Sequence, residues 1–354
     1  MNQFASVYAI IHSTMTRRFL YTIAICTLLH CPTMLCAQVS DADLDRAVTR
    51  GLEWLANNQS RRGYWTTEGR YPAAMTGMAG IALLAEGSTT TQGKYAPNIR
   101  AAADFLISRS RRNGLIGEEN DDKYTYGHGF GLLFLSQVLG EEEDLERREE
   151  LIDVISRAIL FCGYAQTSAG GWGYVSARDG NDFDEGSTTI TQVQALRAAR
   201  NAGIPVPREI IDRAIEYIRK CAIQEGRGGI QYSLKSGGGG RPAISAAAIT
   251  GLFNAGEYDD PLIPNLLVFV DRHLGDINNT SQGFWHYAHY YYAQVKYRQG
   301  GREWENYRNR LFARLIREQS GDGSWSGSYG RVYVTSGNLA ILQLENANLP
   351  IYMR

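Results

Sequence analysis

Six times along this chain, a helix-forming segment, a glycine-rich loop, a second helix-forming segment and a short turn follow one another. The first segment of each copy is amphipathic and often ends near a glutamine, as in IIDRAIEYIRKCAIQ; the second is rich in Ala, Gly, Ser and Thr. The loop anchors Trp65, Ile116, Trp172, Ile230, Trp285 and Trp325 are separated by 51, 56, 58, 55 and 40 residues. Two helices per copy at a period near fifty describe an array of helical hairpins. A single hairpin cannot bury its own apolar face, so neighbouring copies must stack.

The two kinds of segment predict where each helix lies. In copy four Ile211, Ile215 and Ile218 follow a 3.6-residue stripe, with Arg213, Glu216 and Arg219 opposite, so this helix has one wet face. AISAAAITGLFNAG in the same copy carries no charge and many small residues; such a helix is buried all round and lets its neighbours come close. The expected fold is all-α: an α/α toroid of about six hairpins, with an outer ring of amphipathic helices around an inner ring. Polar capping copies, which an open solenoid requires, are not evident. The turns NAG, LAEG and RQGG supply left-handed positions that stop the inner helices.

The N-terminus reads differently. Residues 19–29, FLYTIAICTLL, form an apolar run preceded by Arg17 and Arg18, and Ala37 offers a small residue for cleavage. This is the layout of a secretory signal peptide over residues 1–37, and the run is shorter than the roughly 20 residues that span a bilayer. Met15 is the better start for it, so residues 1–14 read as a mis-called extension. Residues 38–354 are then one toroid domain, exported to the periplasm or the extracellular space, with no transmembrane anchor after cleavage. The net charge of −1 with both signs interspersed gives no footprint for nucleic acid. Outside the leader only Cys162 and Cys221 remain; they fall at equivalent places of adjacent copies and read as core packing.

The loops carry a family resemblance. Gln319-Ser320-Gly321-Asp322-Gly323-Ser324-Trp325, Gln59…Gly63-Tyr64-Trp65, Gln166…Gly171-Trp172 and Gly283-Phe284-Trp285 resemble the repeat of the squalene-cyclase and protein-prenyltransferase superfamily, a helix ending in Gln followed by Gly-x-Trp. The chain looks like exported single-toroid members from planctomycete-type bacteria. The motif has a structural role: tryptophan packs between hairpins and glutamine bonds loop backbone.

The resemblance also implies where chemistry would sit, in the central funnel at the N-terminal ends of the inner helices. Asp182-Phe183-Asp184-Glu185 precedes such a helix and is similar to the Asp-x-Asp-Asp acid of the cyclases, which would make Asp184 the proton donor with Asp182 and Glu185 as neighbours. Clustered carboxylates hold one proton near neutrality, although acids before a helix are also ordinary caps. Tyr126 and His128 open the inner helix of copy two. His286, His289 and Tyr290 share one face of the fifth, and Tyr287, Tyr291 and Gln294 the adjacent strip; Tyr333 lies on the sixth. Facing the funnel, these would line an aromatic cavity with polar tips. The Asp-x-Cys of the prenyltransferase metal site and a thioester motif are both missing, so no metal and no cofactor is expected. The readings that stay open are a toroid that binds an apolar or saccharide ligand, an acid-initiated terpenoid cyclase using Asp184, a lyase or epimerase using His128 and the Tyr/His cluster, and a non-enzymatic interaction scaffold.

Overall fold

Local rules start and stop the helices as the sequence suggests. Ser40 accepts the Asp43 amide to cap the first helix, and Asp144 accepts that of Arg147 to cap the fifth. Pro72 and Pro242 occupy first-turn positions whose amides have no helical partner. Gly256, at φ +95°, ends the inner helix of copy four.

The computed structural model describes residues 39–354 apart from 119–120, 181, 224–227, 282 and 354; the leader, 1–37, lies outside the described residues. Outer helices α1 (Asp41–Asn57), α3 (Ala96–Ser108), α5 (Leu145–Ala165), α7 (Arg208–Cys221), α9 (Ile263–Leu274) and α11 (Gly301–Glu318) alternate with inner helices α2 (Pro72–Leu84), α4 (Tyr124–Glu141), α6 (Gly186–Asn201), α8 (Pro242–Ala255), α10 (Trp285–Gln299) and α12 (Gly330–Leu342). Val39–Arg354 form one compact unit. Each inner helix packs on the next, and α12 packs back on α2. The ring is closed. The fold is an all-α toroid.

Small residues set the inner ring's spacing. A Cβ on Gly77 of α2 would stand 2.4 Å from the Phe130 carbonyl of α4, and one on Gly251 of α8 would stand 2.6 Å from Ile190 of α6. α7 buries Ile210, Ala214, Ile215, Tyr217 and Ile218 and turns its charges outward, whereas α8 is buried along almost its whole length.

The repeated loop is a set of hydrogen bonds. The indoles of Trp65, Trp172 and Trp325 donate to the carbonyls of Leu55, Cys162 and Leu315, each ten residues earlier on the outer helix, at 2.9, 2.8 and 2.7 Å. The backbone amides of the same tryptophans donate to the hydroxyls of Thr76, Thr189 and Thr335 on the inner helices. Gln59, Gln166 and Gln319 each donate to a loop carbonyl four residues on and to a carbonyl of the neighbouring outer helix: Asn98, Ile210 and Ala47. Trp285 departs from this scheme. It is the first residue of α10, its indole donates to Ile277 beyond the end of α9, and Arg314 stacks on its ring at 4.1 Å. That shift explains the short final spacing of 40 residues.

Candidate aromatic basin at the inner-helix N-termini

One returning outer helix separates each inner helix from the next, so all six run in the same direction and their N-termini share one end of the ring. Tyrosines gather there. Tyr126 of α4 stacks on Tyr174 at 5.9 Å, and the Tyr174 and Tyr232 hydroxyls are 2.6 Å apart. Tyr329 stacks on Phe284 at 6.0 Å and meets Tyr333 at 5.3 Å. Most of these rings are half-buried, while Tyr329 and Phe284 are exposed. Lys123 lies over Tyr174 and Arg241 over Tyr232, placing two cations on the rim.

Beneath the rim, α10 presents Tyr287, Tyr291 and Gln294. The rings of Tyr287 and Tyr291 meet edge to face at 5.0 Å. Gln194 of α6 donates to Gln294 at 3.0 Å, joining two inner helices that are not neighbours in the ring. This bond crosses the lumen eight residues into α6, about 12 Å below its start at 1.5 Å per residue. It floors the space above. The opposite end is filled by the C-terminal segment, where Ile351 and Tyr352 are buried and Tyr352 meets the Tyr290 hydroxyl at 2.7 Å. The half-buried rings above the Gln194–Gln294 bond form an aromatic patch, the basin.

Burial drives the electrostatics of the basin. It raises the phenol of Tyr287 well above its ordinary value, with help from Tyr291, Tyr126 and Glu185, and it raises Tyr126 in the same way, Glu185 again contributing. These hydroxyls are therefore donors throughout the physiological range. Buried lumen atoms without a hydrogen-bond partner among the described residues include the Tyr287 hydroxyl and the Gln194 Oε1. One donates and the other accepts.

The acidic segment divides itself between two directions. Asp184 is fully buried and turned outward: its Oδ2 accepts the Tyr217 hydroxyl of α7 at 2.8 Å and the Leu234 amide at 2.6 Å. Glu185 caps α6, accepting the amides of Ser187 and Thr188 at 3.1 and 2.7 Å and both their hydroxyls. Tyr126 hydrogen-bonds to Ser187, so Glu185 is the carboxylate connected to the basin. Asp182 lies near the surface, bonded to Ser168 and facing Lys235 at 3.4 Å; the two bonds from Ser168, with Lys235, outweigh burial and hold it below the usual carboxylate range.

The histidines face away from the lumen. His128 is fully buried, and its Nδ1 accepts the Ile116 amide at 3.1 Å. It thus stands in copy two where Thr76, Thr189 and Thr335 stand in theirs. Its Nε2 lies 3.2 Å from the Ala158 carbonyl and 3.3 Å from the Cys162 thiol on α5. Burial pushes the His128 imidazole down to about 3 and the Cys162 thiol up; a nucleophilic pair needs the reverse, thiolate beside imidazolium. His289 bonds Tyr307 of α11 at 2.7 Å and is likewise pushed down to about 3 by burial. His286 approaches Asn338 of α12 at 3.3 Å. The face of α10 expected at the funnel, with His286, His289 and Tyr290, is therefore turned toward neighbouring elements and the C-terminal segment; the adjacent strip lines the lumen. Tyr126 and Tyr333 do reach the basin. Cys162 and Cys221 are free and buried.

No family model matches the chain, and no curated protein matches it. Among solved structures, a variant of the type II terpene cyclase MstE from Scytonema, bound to geranylgeranyl dihydroxybenzoate, is similar with a TM-score of 0.56 and 13% identity over 88% of this chain and 98% of that one. The chain has the toroid fold of a type II terpene cyclase. The apo form of the same cyclase overlaps 88% of this chain and 100% of that one at 13% identity, with a TM-score of 0.35. A protein from Actinoplanes reaches 0.30 at 15% identity, over 84% and 98%. Only the first of the three carries the fold comparison.

Proposed function

We propose that this protein is a ligand-binding toroid whose ligand sits in the tyrosine basin above the Gln194–Gln294 bond. The ligand has an apolar body with hydroxyl or carbonyl groups, the class to which saccharide rings and oxygenated terpenoids belong. The observation that carries this reading is the buried Tyr287 hydroxyl without a partner, set in an aromatic wall. A buried hydroxyl left unpaired costs about 1–3 kcal/mol, and buried polar groups ordinarily have a protein or water partner. Orphaned buried polar atoms beside half-buried aromatic rings suit a molecule that brings its own polar groups.

Acid-initiated cyclisation is the less well supported reading. It needs a protonated carboxyl aimed at the ligand, whereas Asp184 points outward to α7 and Leu234. Glu185 is nearer, but its oxygens already accept from four donors, the amides and hydroxyls of Ser187 and Thr188, and a proton placed there would displace one. A lyase role for His128 meets the same difficulty, since both ring nitrogens face scaffold. We further propose, from residues 17–37 of the sequence, that the protein is exported and meets its ligand outside the cytoplasm.

The test is mass spectrometry of small molecules co-purifying with the chain and with the Tyr287→Phe and Asp184→Asn variants. The basin reading expects a molecule retained by the wild type and by Asp184→Asn and depleted in Tyr287→Phe. Retention by Tyr287→Phe with loss in Asp184→Asn would move the site to the acidic loop. An empty extract from the wild type would overturn the reading.

A further inference from the structure

The other end of the toroid holds a second, differently built pocket. Arg197, in the last turns of α6, and Arg298, at the end of α10, line one depression of about 340 Å³ together with Asn201, Tyr258, Ile351 and Met353. None of its lining residues is acidic. Among the described residues neither guanidinium has a carboxylate partner. Arg298 donates to the Asn254 side chain at 3.3 Å and to the Ile351 carbonyl at 3.1 Å, and it is hydrogen-bonded to the Tyr258 hydroxyl. Behind Arg298 and outside the pocket lining, the buried amide nitrogen of Asn254, a residue 3% exposed, has no partner among the described residues.

A cation at a helix C-terminus is favourable, because that end carries about −0.5 of an elementary charge. This accounts for Arg298, in the last turn of α10; Arg197 lies a turn short of the end of α6, and the two guanidiniums meet in a partly desolvated pocket whose lining has no acidic residue. Burial, and then the charge of Arg197, lower the Arg298 guanidinium below its ordinary value, as expected of like charges brought together. Guanidinium forks match the oxygens of phosphate, sulfate and carboxylate groups.

We propose that this pocket is an oxyanion site, taking a phosphate or sulfate group between Arg197 and Arg298 with Tyr258 and Asn201 at its edge. It is separate from the tyrosine basin and does not depend on the ligand proposed there. The shared chemistry is a tetrahedral oxyanion, either as a free ion or as a group on a larger molecule.

The experiment is a thermal-shift and calorimetric titration of the mature protein with inorganic phosphate and with sulfate, against sodium chloride at matched ionic strength. Saturable stabilisation is expected, with affinity at least tenfold weaker in Arg197→Gln. In anion-free buffer Arg197→Gln is expected to melt at or above the wild-type temperature, because it relieves repulsion; a merely structural arginine would lower it. No saturable effect beyond chloride, or an equal response from Arg197→Gln, would overturn the proposal. A chain extended past Arg354 by a Gly-Ser tail supplies the last arm. Binding confined to that chain would mean that the protein's own terminal carboxylate occupies the pocket, and would overturn it too.

Discussion

Gln319 Nε2 donates to the carbonyl of Ala47 at 2.8 Å, across 272 residues of chain. The same bond links Gln59 to Asn98 and Gln166 to Ile210 between consecutive copies. Copy six therefore treats copy one as its next neighbour, and the last junction is built like the others. Replacing Gln319 with Leu should destabilise the fold by about 1–3 kcal/mol, the range for a lost hydrogen bond that leaves buried groups unpaired. Urea unfolding followed by tryptophan fluorescence reads this, with Gln59→Leu for comparison. A ring predicts similar losses at both junctions; a neutral Gln319→Leu would mean that the ring is open.

Gly323 and Gly321 lie in the same loop and make opposite predictions. Gly323 has φ +95°, and a Cβ there would stand 2.4 Å from the Arg50 carbonyl of α1. Gly321 has open space around it. Gly323→Ala should cost about 2–4 kcal/mol, combining left-handed strain with overpacking, while Gly321→Ala should stay within about 0.5 kcal/mol. Melting temperatures of the two variants check the pair.

Acid should weaken the protein through its buried histidines. The folded-state values of His128 and His289, about 3, lie below the unfolded value near 6.5. The unfolded chain therefore binds more protons between those limits. The stability of the neutral imidazoles is complete above pH 6.5 and is lost as pH falls toward 3, at up to about 1.4 kcal/mol per pH unit for each. His128→Thr keeps the acceptor type that copies one, three and six use for the loop amide, and it should flatten the acid limb by one histidine's share. Urea unfolding at pH 7.5, 5.5 and 4.5 measures it, and identical acid slopes in the two proteins would contradict the assignment.

Tyr287→Phe removes a buried hydroxyl that has no partner among the described residues. In protein freed of ligand by unfolding and refolding, the variant should be more stable than the wild type, by about 1 kcal/mol. In protein as purified the order should reverse, since the ligand's bond is lost. Comparing the melting temperatures of both preparations checks the sign in each.

The fold was legible because each copy repeats one physical solution. Small-residue helices had to lie inside, Gln and Trp had to mark the loops, and the ring closes through those same residues. The direction of individual side chains was less legible. Asp184 and Glu185 are adjacent, yet one reaches outward to Tyr217 of α7 and the other caps α6, and that choice depends on donors 33 to 50 residues away for Asp184. His128 drew attention because histidine is chemically versatile. Its offset of 12 residues from Ile116 falls among the offsets of 10, 11 and 17 that separate Trp325, Trp65 and Trp172 from their threonines, and this was the signal that it serves the loop. On α10 both candidate strips are aromatic, so periodicity alone could not tell which one meets Gln194.

The central claim is that the basin holds a ligand over the Gln194–Gln294 bond. The most direct test is a high-resolution crystal structure of the protein as purified, read at the Tyr287 hydroxyl. The account predicts density for an ordered molecule that accepts from Tyr287 and lies against the rings of Tyr126 and Tyr333. A Tyr287 hydroxyl paired with protein, and a basin packed shut by its own side chains, would contradict it.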